Sequence, residues 1–239
     1  MYGSDFARIY DDVYTLRGKD YGRETADVVD LIRELAPNAA SLLDVGCGTG
    51  GHLVYLADHF DEVEGLELSP DMLAVAKERL PGTTLHQGDM RAFDTGRRYD
   101  AVISLFGTIS HAYTEPDLRA VFDCFAAHLN PGGVLVAEPW WFEEDFIDGY
   151  ISADVIEPEG QTMARVSHSK REGDSSRMEV HYLTSDAKSG TRHFSEVYRH
   201  RLYTRDQYEA ALRHSGFSPR HRPGIAQGRG LFFAVRDGS

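Results

Sequence analysis

A glycine-rich stretch, Leu-Leu-Asp-Val-Gly-Cys-Gly-Thr-Gly-Gly, occupies residues 42–51 of this 239-residue chain. Two aliphatic residues and an acid lead into four glycines within six positions. Glycine lets a chain turn sharply off a strand and lets backbone N–H groups approach a ligand where the next helix begins. The stretch therefore predicts a strand, a tight loop and a helix that together hold a nucleotide.

Two nucleotide-binding patterns fit this loop. Gly46, Gly48 and Gly51 satisfy the dinucleotide pattern G-x-G-x-x-G, whereas Asp44, Gly46 and Gly48 satisfy the D-x-G-x-G pattern of S-adenosylmethionine (SAM) methyltransferases. A dinucleotide would place its pyrophosphate over the loop, where the carboxylate of Asp44 would repel it. SAM carries an ammonium and a sulfonium, which a carboxylate attracts. The loop favours SAM, and a nicotinamide-dependent oxidoreductase is the alternative.

Short apolar segments alternate with longer amphipathic ones after two N-terminal helices, which are predicted at 5–14 and 21–36. The predicted strands are 41–45, 62–68, 84–86, 99–105 and 134–137, and the helices between them are 51–59, 70–80 and 115–129, the last ended by the Asn-Pro-Gly-Gly turn at 130–133. Such alternation is typical of crossover connections. We expect a doubly wound α/β domain with a mostly parallel sheet.

The pattern changes after Pro139. Long strands with alternating polar residues are predicted at 162–170, 176–184 and 191–203, and a helix at 205–215 and an apolar strand at 230–235 follow. We expect three parts: an N-terminal helical and SAM-binding core at 1–139, an antiparallel β insertion at 140–203 that binds the acceptor, and a C-terminal helix and strand at 204–239 that complete the core.

Charge divides the chain in a similar way. Residues 1–150 carry 11 Lys and Arg against 27 Asp and Glu, whereas residues 151–239 carry 14 against 11. An acidic first part suits a cationic ligand and a basic second part an anionic one, although solvated acidic surface gives the same pattern. The net charge of −13 argues against nucleic acid and anionic membranes as partners.

The cysteines and the apolar runs bear on location. Cys47 and Cys124 are the only cysteines, which fits a reducing compartment and supplies no metal cluster. No apolar run approaches the roughly 18 to 20 residues that span a bilayer, and the N-terminal residues lack a secretory signal pattern. We expect a cytoplasmic protein without a bound metal. The oligomeric state stays open, with a homodimer among the options.

Carboxylates stand at the ends of three successive predicted strands. Asp44 ends the first, and Glu67 ends the second, 21 residues after Gly46, where a carboxylate can accept both ribose hydroxyls. Asp89 follows the third strand and is either a ligand of the adenine amino group or a helix N-cap. The carboxyl ends of parallel strands share one edge of the sheet, so these acids favour a single SAM pocket. The apolar residues expected to line it are Leu68, Met90 and Leu105.

Several segments resemble known families. Leu-Asp-Val-Gly-Cys-Gly-Thr-Gly, Gly-Leu-Glu-Leu-Ser, Gln-Gly-Asp-Met and Leu-Asn-Pro-Gly-Gly resemble the class I SAM-dependent methyltransferases over about the first 140 residues. Nearly the whole chain is similar to the TDP-amino-sugar N,N-dimethyltransferases of desosamine or mycaminose biosynthesis, through the segments 18–21, 138–142, 165–173 and 228–232. That family usually has alanine where this chain has Gly46, which brings the loop closer to the broad class pattern.

The resemblance implies a seven-stranded class I methyltransferase fold and two ligands. One is SAM. The other is a TDP-linked 3-amino-3,6-dideoxyhexose whose nitrogen takes two methyl groups in turn, and a different small-molecule acceptor is the alternative. Tyr10 and Tyr21 would lie near the cofactor and Tyr2 near the acceptor, with Tyr14 expected only to pack. The remaining substrate-binding candidates are Trp141, Arg165, Ser169 and Arg229.

Two features suit the acceptor chemistry. Glycines flank Arg229, and arginine can grip a diphosphate through two N–H groups. His111 follows the fourth predicted strand and is the catalytic candidate, either as the base that takes the amine proton or as a group that only positions the sugar. A neutral amine is already nucleophilic, so alignment of nitrogen, methyl and sulfur is expected to dominate catalysis.

Overall fold

The computed structural model describes residues 4–224 and 229–236. The helices in these ranges are α1 (Ser4–Thr15), α2 (Tyr21–Leu35), α3 (Gly51–Leu56), α4 (Pro70–Arg79), α5 (Glu115–Ala127) and α6 (Arg205–His214). The strands are β1 (Ser41–Val45), β2 (Glu62–Glu67), β3 (Thr84–Gln87), β4 (Tyr99–Ser104), β5 (Leu129–Ala137), β6 (Tyr150–Ile156), β7 (Gln161–Glu172), β8 (Ser175–Asp186), β9 (Gly190–Arg201), β10 (Arg220–Arg222) and β11 (Leu231–Val235). A short 3-10 helix, Thr108–His111, follows β4.

The larger sheet has seven strands in the order β10-β11-β5-β4-β1-β2-β3. Its strands from β5 to β3 run parallel, while β11 is antiparallel to β5 and β10 is antiparallel to β11. The predicted doubly wound, mostly parallel seven-stranded sheet is confirmed. The strand order reverses beside β1, and ligands of such sheets bind at the carboxyl ends of the strands at that point.

Local sequence explains where the helices begin. Ser69 caps α4 by accepting a hydrogen bond from the N–H of Met72 at 3.4 Å, and Pro70 fills the first helical position. Thr204 and Gln207 form a capping box at the start of α6. β1 is buried over its whole length, as expected of a central parallel strand covered on both faces.

The insertion is a four-stranded antiparallel sheet in the order β6-β7-β8-β9, hereafter the insertion sheet. Three of its strands were expected from the sequence, and the prediction missed β6. Ile151 and Val155 of that strand lie on the exposed face, so its pattern lacks the polar outer positions of a half-buried strand. The buried face of the sheet packs on α1 through a cluster that includes Phe6, Met163, Val180, Tyr182 and Tyr198.

Two further parts of the secondary structure differ from what the sequence predicts. α5 ends at Ala127, and the Asn-Pro-Gly-Gly segment expected to stop it lies inside β5, where the pairing with β4 shifts register after Tyr99. β10 was missed because three residues with two arginines give no periodic signal. No helix in the described part of the chain is long and apolar enough to cross a membrane.

Candidate cofactor and acceptor site

A cavity of about 720 Å³ is lined by the carboxyl ends of the central strands, by α1 and by the buried face of the insertion sheet. The structure brings together nearly every residue predicted for the site. The predicted residues that line the cavity are Tyr10, Tyr21, Asp44, Gly46, Gly48, Glu67, Leu68, Asp89, Met90, Leu105, His111, Trp141, Arg165, Ser169 and Arg229. Tyr2 lies outside the described residues.

The glycine loop has the backbone that its sequence predicts. Gly46 has φ +79° and Gly48 has φ +57°, in the left-handed region that favours glycine. A Cβ on Gly46 would stand 2.4 Å from the side chain of Thr108, whereas a Cβ on Gly48 would meet nothing within 4 Å. The loop is therefore closed against the protein at Gly46 and open toward the cavity at Gly48, where a ligand can approach the backbone.

Asp44 is buried, and its Oδ2 has no hydrogen-bond partner among the described residues. Burial and the nearby carboxylate of Glu67 raise the pKa of Asp44 to about 7, while the ammonium of Lys19 acts in the opposite direction. A buried carboxylate oxygen without a partner needs a donor or a cation. The site at the end of β1 is therefore suited to a positively charged ligand and unsuited to a pyrophosphate.

Lys19 is a cavity residue for which the sequence predicted no role. It is 5% exposed, its Nζ lies 2.5 Å from a carboxylate oxygen of Glu24, and it stands 3.9 Å from the ring centre of Phe106. The cavity wall thus presents an ammonium as well as the carboxylate of Asp44. Together they can serve a zwitterionic group, such as the amino-acid end of SAM.

The other two predicted acids, Glu67 and Asp89, already have hydrogen-bond partners within the protein. Glu67 accepts hydrogen bonds from the N–H of Gly48 at 3.0 Å and of Ser69 at 2.7 Å, and burial raises its pKa. Asp89 pairs with Arg91, whose hydrogen bonds lower its pKa. Asp89 lies in a turn and caps no helix. The contacts of Glu67 with the ribose and of Asp89 with the adenine stay predictions.

The tyrosines of the N-terminal segment line the cavity through an anchored helix. The hydroxyl of Tyr21 donates to Asp11 at 3.0 Å, and Thr49 of the glycine loop donates to the same oxygen at 2.8 Å. Arg79 of α4 forms an ion pair with the other oxygen. Tyr14, expected only to pack, also lines the cavity and meets the ring of Phe106 edge-on at 4.8 Å.

A strained residue marks the end of β4. Phe106 has φ +57°, which bulky side chains rarely adopt, and its N–H donates to Glu138 at 2.6 Å. The other carboxylate oxygen of Glu138 forms a buried ion pair with Arg229. The guanidinium of Arg229 lies 5.1 Å from the ring centre of Trp140. The charge of Arg229 is therefore balanced inside the protein.

Three rings lie next to this ion pair. His200 of β9 stacks on Trp140 with ring centres 4.3 Å apart, and its ring centre is 4.8 Å from that of His111. Burial lowers the pKa of His111 to about 4 and that of His200 well below its usual value. Both imidazoles are neutral at pH 7. Trp140 is half-buried and Trp141 is exposed, and both line the cavity.

The insertion sheet contributes a buried cation. Arg165 is 4% exposed, donates to Ser167 at 3.1 Å and has an Nε without a partner in the described structure. Asp154, 3.6 Å from Arg165, also accepts from Arg17 at 2.8 Å. Two guanidinium groups share one carboxylate, so Arg17, Arg165 and Asp154 together carry a net positive charge. Arg17 was missed because its place beside Asp154 depends on tertiary packing.

SAM carries an ammonium and a sulfonium that suit the buried carboxylate of Asp44, whereas a nicotinamide dinucleotide would bring its pyrophosphate to the glycine loop beside that carboxylate. The seven-stranded, mostly parallel sheet is the class I methyltransferase fold that the resemblance implies. Fold and site together therefore define a SAM-dependent methyltransferase.

Comparisons with known proteins give the family. A methyltransferase-domain family matches residues 42–133. The chain is 51% identical over 235 residues, covering 98% of this chain and 99% of the relative, to the dTDP-3-amino-3,4,6-trideoxy-alpha-D-glucopyranose N,N-dimethyltransferase of Streptomyces venezuelae. It is 52% identical over 231 residues, covering 97% and 91%, to the dTDP-3-amino-3,6-dideoxy-alpha-D-glucopyranose N,N-dimethyltransferase of Streptomyces fradiae.

Two solved structures match this chain over nearly its whole length. DesVI from Streptomyces venezuelae matches with a TM-score of 0.94 at 50% identity, covering 98% of this chain and 99% of that one. SAM-bound CalS10, an amino pentose methyltransferase from Micromonospora echinaspora, matches with a TM-score of 0.89 at 51% identity, covering 95% and 96%. The chain belongs to the family of dTDP-amino-sugar N,N-dimethyltransferases. Its cofactor is SAM, and the alternative of a nicotinamide oxidoreductase is wrong.

Proposed function

We propose that this protein transfers two methyl groups, one after the other, from SAM to the 3-amino group of a TDP-linked 3-amino-3,6-dideoxyhexose. One observation carries the proposal: a single cavity joins the buried carboxylate of Asp44 below the glycine loop to the guanidinium groups of Arg17 and Arg165 at the insertion sheet. A cationic methyl donor suits the first end and a nucleotide diphosphate the second. The activities of the two Streptomyces relatives support an amino sugar as the acceptor.

The acidic end would hold SAM, which supplies an electrophilic methyl group when bound. Asp44 would take the ammonium of its amino-acid part, and Lys19 its carboxylate. Gly48 leaves room for the ligand to approach the backbone closely, Gly46 allows the tight turn against Thr108, and Glu67 would receive the ribose hydroxyls. Asp89, Met90, Leu68 and Leu105 would surround the adenine, and Tyr10 and Tyr21 would cover the cofactor from the N-terminal side.

The positive end would hold the diphosphate. Arg165 offers an unpartnered Nε, and Arg17 and the hydroxyl of Ser169 line the same cavity. Arg229 was the stronger candidate from the sequence, but its pairing with Glu138 places more of the uncompensated charge on Arg165. We therefore assign the diphosphate mainly to the β7 side, with Trp141 and Arg229 shaping the sugar pocket.

His111 would orient the amine. A neutral imidazole with a pKa of about 4 is a weak base, yet it can accept a hydrogen bond from an amine N–H and so direct the nitrogen lone pair toward the methyl donor. Alignment of this kind supplies roughly 7 to 11 kcal/mol in favourable intramolecular cases. The proposed catalysis rests on positioning, and no strong base is required.

Two finer expectations join the proposal. We place the protein in the cytoplasm, since both cysteines are free thiols. A homodimer is supported by aliphatic side chains on the exposed face of the insertion sheet, namely Ile151, Val155, Val166, Leu183 and Val197.

The test combines purified protein, SAM and a panel of nucleotide amino sugars, with products followed by mass spectrometry. We expect the 3-amino-3,6-dideoxyhexose nucleotide to gain one methyl group and then a second, with no gain when SAM is left out. Methylation of an amine at another ring position, with none on any 3-amino sugar, would overturn the acceptor assignment and leave the methyltransferase activity standing.

A further inference from the structure

Three buried nitrogens without hydrogen-bond partners in the described structure belong to side chains that line the acceptor end of the cavity. They are Nε1 of Trp140, Nδ1 of His200 and Nε of Arg229. The three side chains touch in series, because Trp140 stacks on His200 and lies under the guanidinium of Arg229. Buried polar groups are nearly always paired in native proteins, so three unpaired nitrogens on adjoining side chains call for a ligand group.

The chemistry of these nitrogens selects the kind of group. The indole and guanidinium nitrogens can only donate hydrogen bonds, whereas a neutral imidazole nitrogen can accept one. A hydroxyl oxygen accepts two hydrogen bonds and its proton donates one, so a hydroxyl complements the set. A phosphate does not, because the charge of Arg229 is already balanced by Glu138 and the imidazole of His200 is neutral.

The strand order indicates which hydroxyl of the sugar this is. Resting on the proposed function, the diphosphate on C1 lies toward Arg165 of β7, and His200 stands on β9, two strands away and about 10 Å across the sheet. C4 is the ring carbon opposite C1 and next to the carbon that bears the amine. His111, proposed to orient that amine, has its ring centre 4.8 Å from that of His200. The amine on C3 and the hydroxyl on C4, which are neighbours on the sugar ring, would thus face the neighbouring imidazoles of His111 and His200.

We propose that His200 binds the C4 hydroxyl of the amino sugar and makes this protein selective for 4-hydroxy over 4-deoxy substrates. Trp140 and Arg229 complete the hydroxyl site as donors. A 4-deoxy sugar would leave the buried nitrogens unpaired, which corresponds to a loss on the order of tenfold to a hundredfold in kcat/KM.

The first test needs no variant. The wild-type protein is given SAM with dTDP-linked 3-amino-3,6-dideoxyglucose or with its 3,4,6-trideoxy analogue, and kcat/KM is measured for the first methyl transfer. We expect the 4-hydroxy substrate to be preferred by at least tenfold. Equal values for the two substrates would overturn the proposal, whereas no methylation of either would count against the proposed function instead.

The second test replaces the imidazole. His200→Phe keeps an aromatic ring against Trp140 and removes both nitrogens. We expect the ratio of the two kcat/KM values to fall to about one, mainly through a lower kcat/KM for the 4-hydroxy substrate. The matched control is His193→Phe, on the same strand but on the exposed face, which should keep the wild-type preference.

Folding of His200→Phe is checked by its affinity for S-adenosylhomocysteine, which binds at the other end of the cavity. An equal loss for both substrates with that affinity intact would mean that His200 only supports the pocket, and the proposal would fail. Should His200→Phe not fold, the comparison of the two substrates on the wild-type protein decides alone.

Discussion

Asp44 combines a conformational role with an electrostatic one at the scale of a single residue. It ends a fully buried strand, so its side chain is carried out of water by β1 before any ligand arrives. Without a partner on Oδ2, the carboxylate is unfavourable in the ligand-free protein and becomes favourable when a cation is bound. Asp44 therefore lowers the stability of the ligand-free protein and raises its affinity for SAM.

Replacing this carboxylate should separate the two effects. Because the pKa of Asp44, about 7 in the folded protein, exceeds its ordinary value of 3.8, its contribution to stability is full below about pH 4 and is lost as pH rises from there to 7. At 1.4 kcal/mol per pKa unit, the loss is on the order of a few kcal/mol. We expect Asp44→Asn to raise the Tm of the ligand-free protein at pH 8 and to weaken SAM binding more than tenfold.

Calorimetry can check both parts, by measuring Tm between pH 4 and 8.5 and the Kd for SAM. In the wild-type protein, SAM affinity should rise with pH up to about 7 as Asp44 ionises. Asp58→Asn, on an exposed turn, is the control and should change neither quantity. If Asp44→Asn bound SAM as tightly as wild type, the charge at this position would have no role in cofactor binding.

The cavity residues that were predicted from the sequence reach the cavity in a different way from those that were missed. Asp44, Glu67 and Asp89 follow strands of a parallel sheet, and strand ends are readable from the pattern of apolar residues. Lys19 and His200 reach the cavity through the packing of α2 and the insertion sheet against the core. No local pattern encodes such packing, and a lone histidine on a strand carries no signal of its neighbours.

At the scale of elements, strand alternation sorts the basic residues of the insertion. Four basic residues of the insertion, Arg165, Lys170, Arg171 and Arg177, look alike as diphosphate ligands in the sequence. Arg165 lies on the buried face and lines the cavity, whereas Lys170 and Arg177 lie opposite each other on neighbouring strands, on the other face of the sheet. Arg171 forms an ion pair with Glu143. Register, which fixes the face of every residue, could not be read from the sequence once β6 had been missed.

Arg165→Met should separate acceptor binding from cofactor binding. Methionine keeps the length of the buried side chain and removes its charge-assisted hydrogen bonds to phosphate. We expect KM for the sugar nucleotide to rise by about tenfold to a hundredfold, as loss of hydrogen bonds to a charged group implies, with the Kd for SAM unchanged. Arg177→Met on the opposite face is the matched control and should have wild-type KM. An unchanged KM in Arg165→Met would place the diphosphate elsewhere.

At the scale of the whole molecule, α1 joins the two halves of the cavity. Its apolar face packs on the insertion sheet through Phe6 and Val13, while Asp11 binds Thr49 of the glycine loop and Arg79 of α4. Arg17, just beyond the helix, binds Asp154 of β6. The overall α/β fold followed from the alternation of strands and helices. The position of α1 did not, because it depends on contacts with residues 38 to 137 positions away along the chain.

If α1 closes the cavity over the cofactor, loosening its polar anchor should speed the release of the cofactor. Arg79→Met removes the ion pair with Asp11 and the hydrogen bond to the carbonyl of Thr49 at 3.1 Å. The Arg79 side chain is 31% exposed, so we expect a small loss of Tm, on the order of a few degrees.

Amide exchange within residues 4–15 should rise and S-adenosylhomocysteine should dissociate several-fold faster, as measured by mass spectrometry and stopped flow. Lys77→Met, exposed on the same helix, should match wild type in both measurements. Unchanged amide exchange in Arg79→Met would show that the apolar cluster with the insertion sheet holds α1 without help from Asp11. Cofactor release would then have to follow another route out of the cavity.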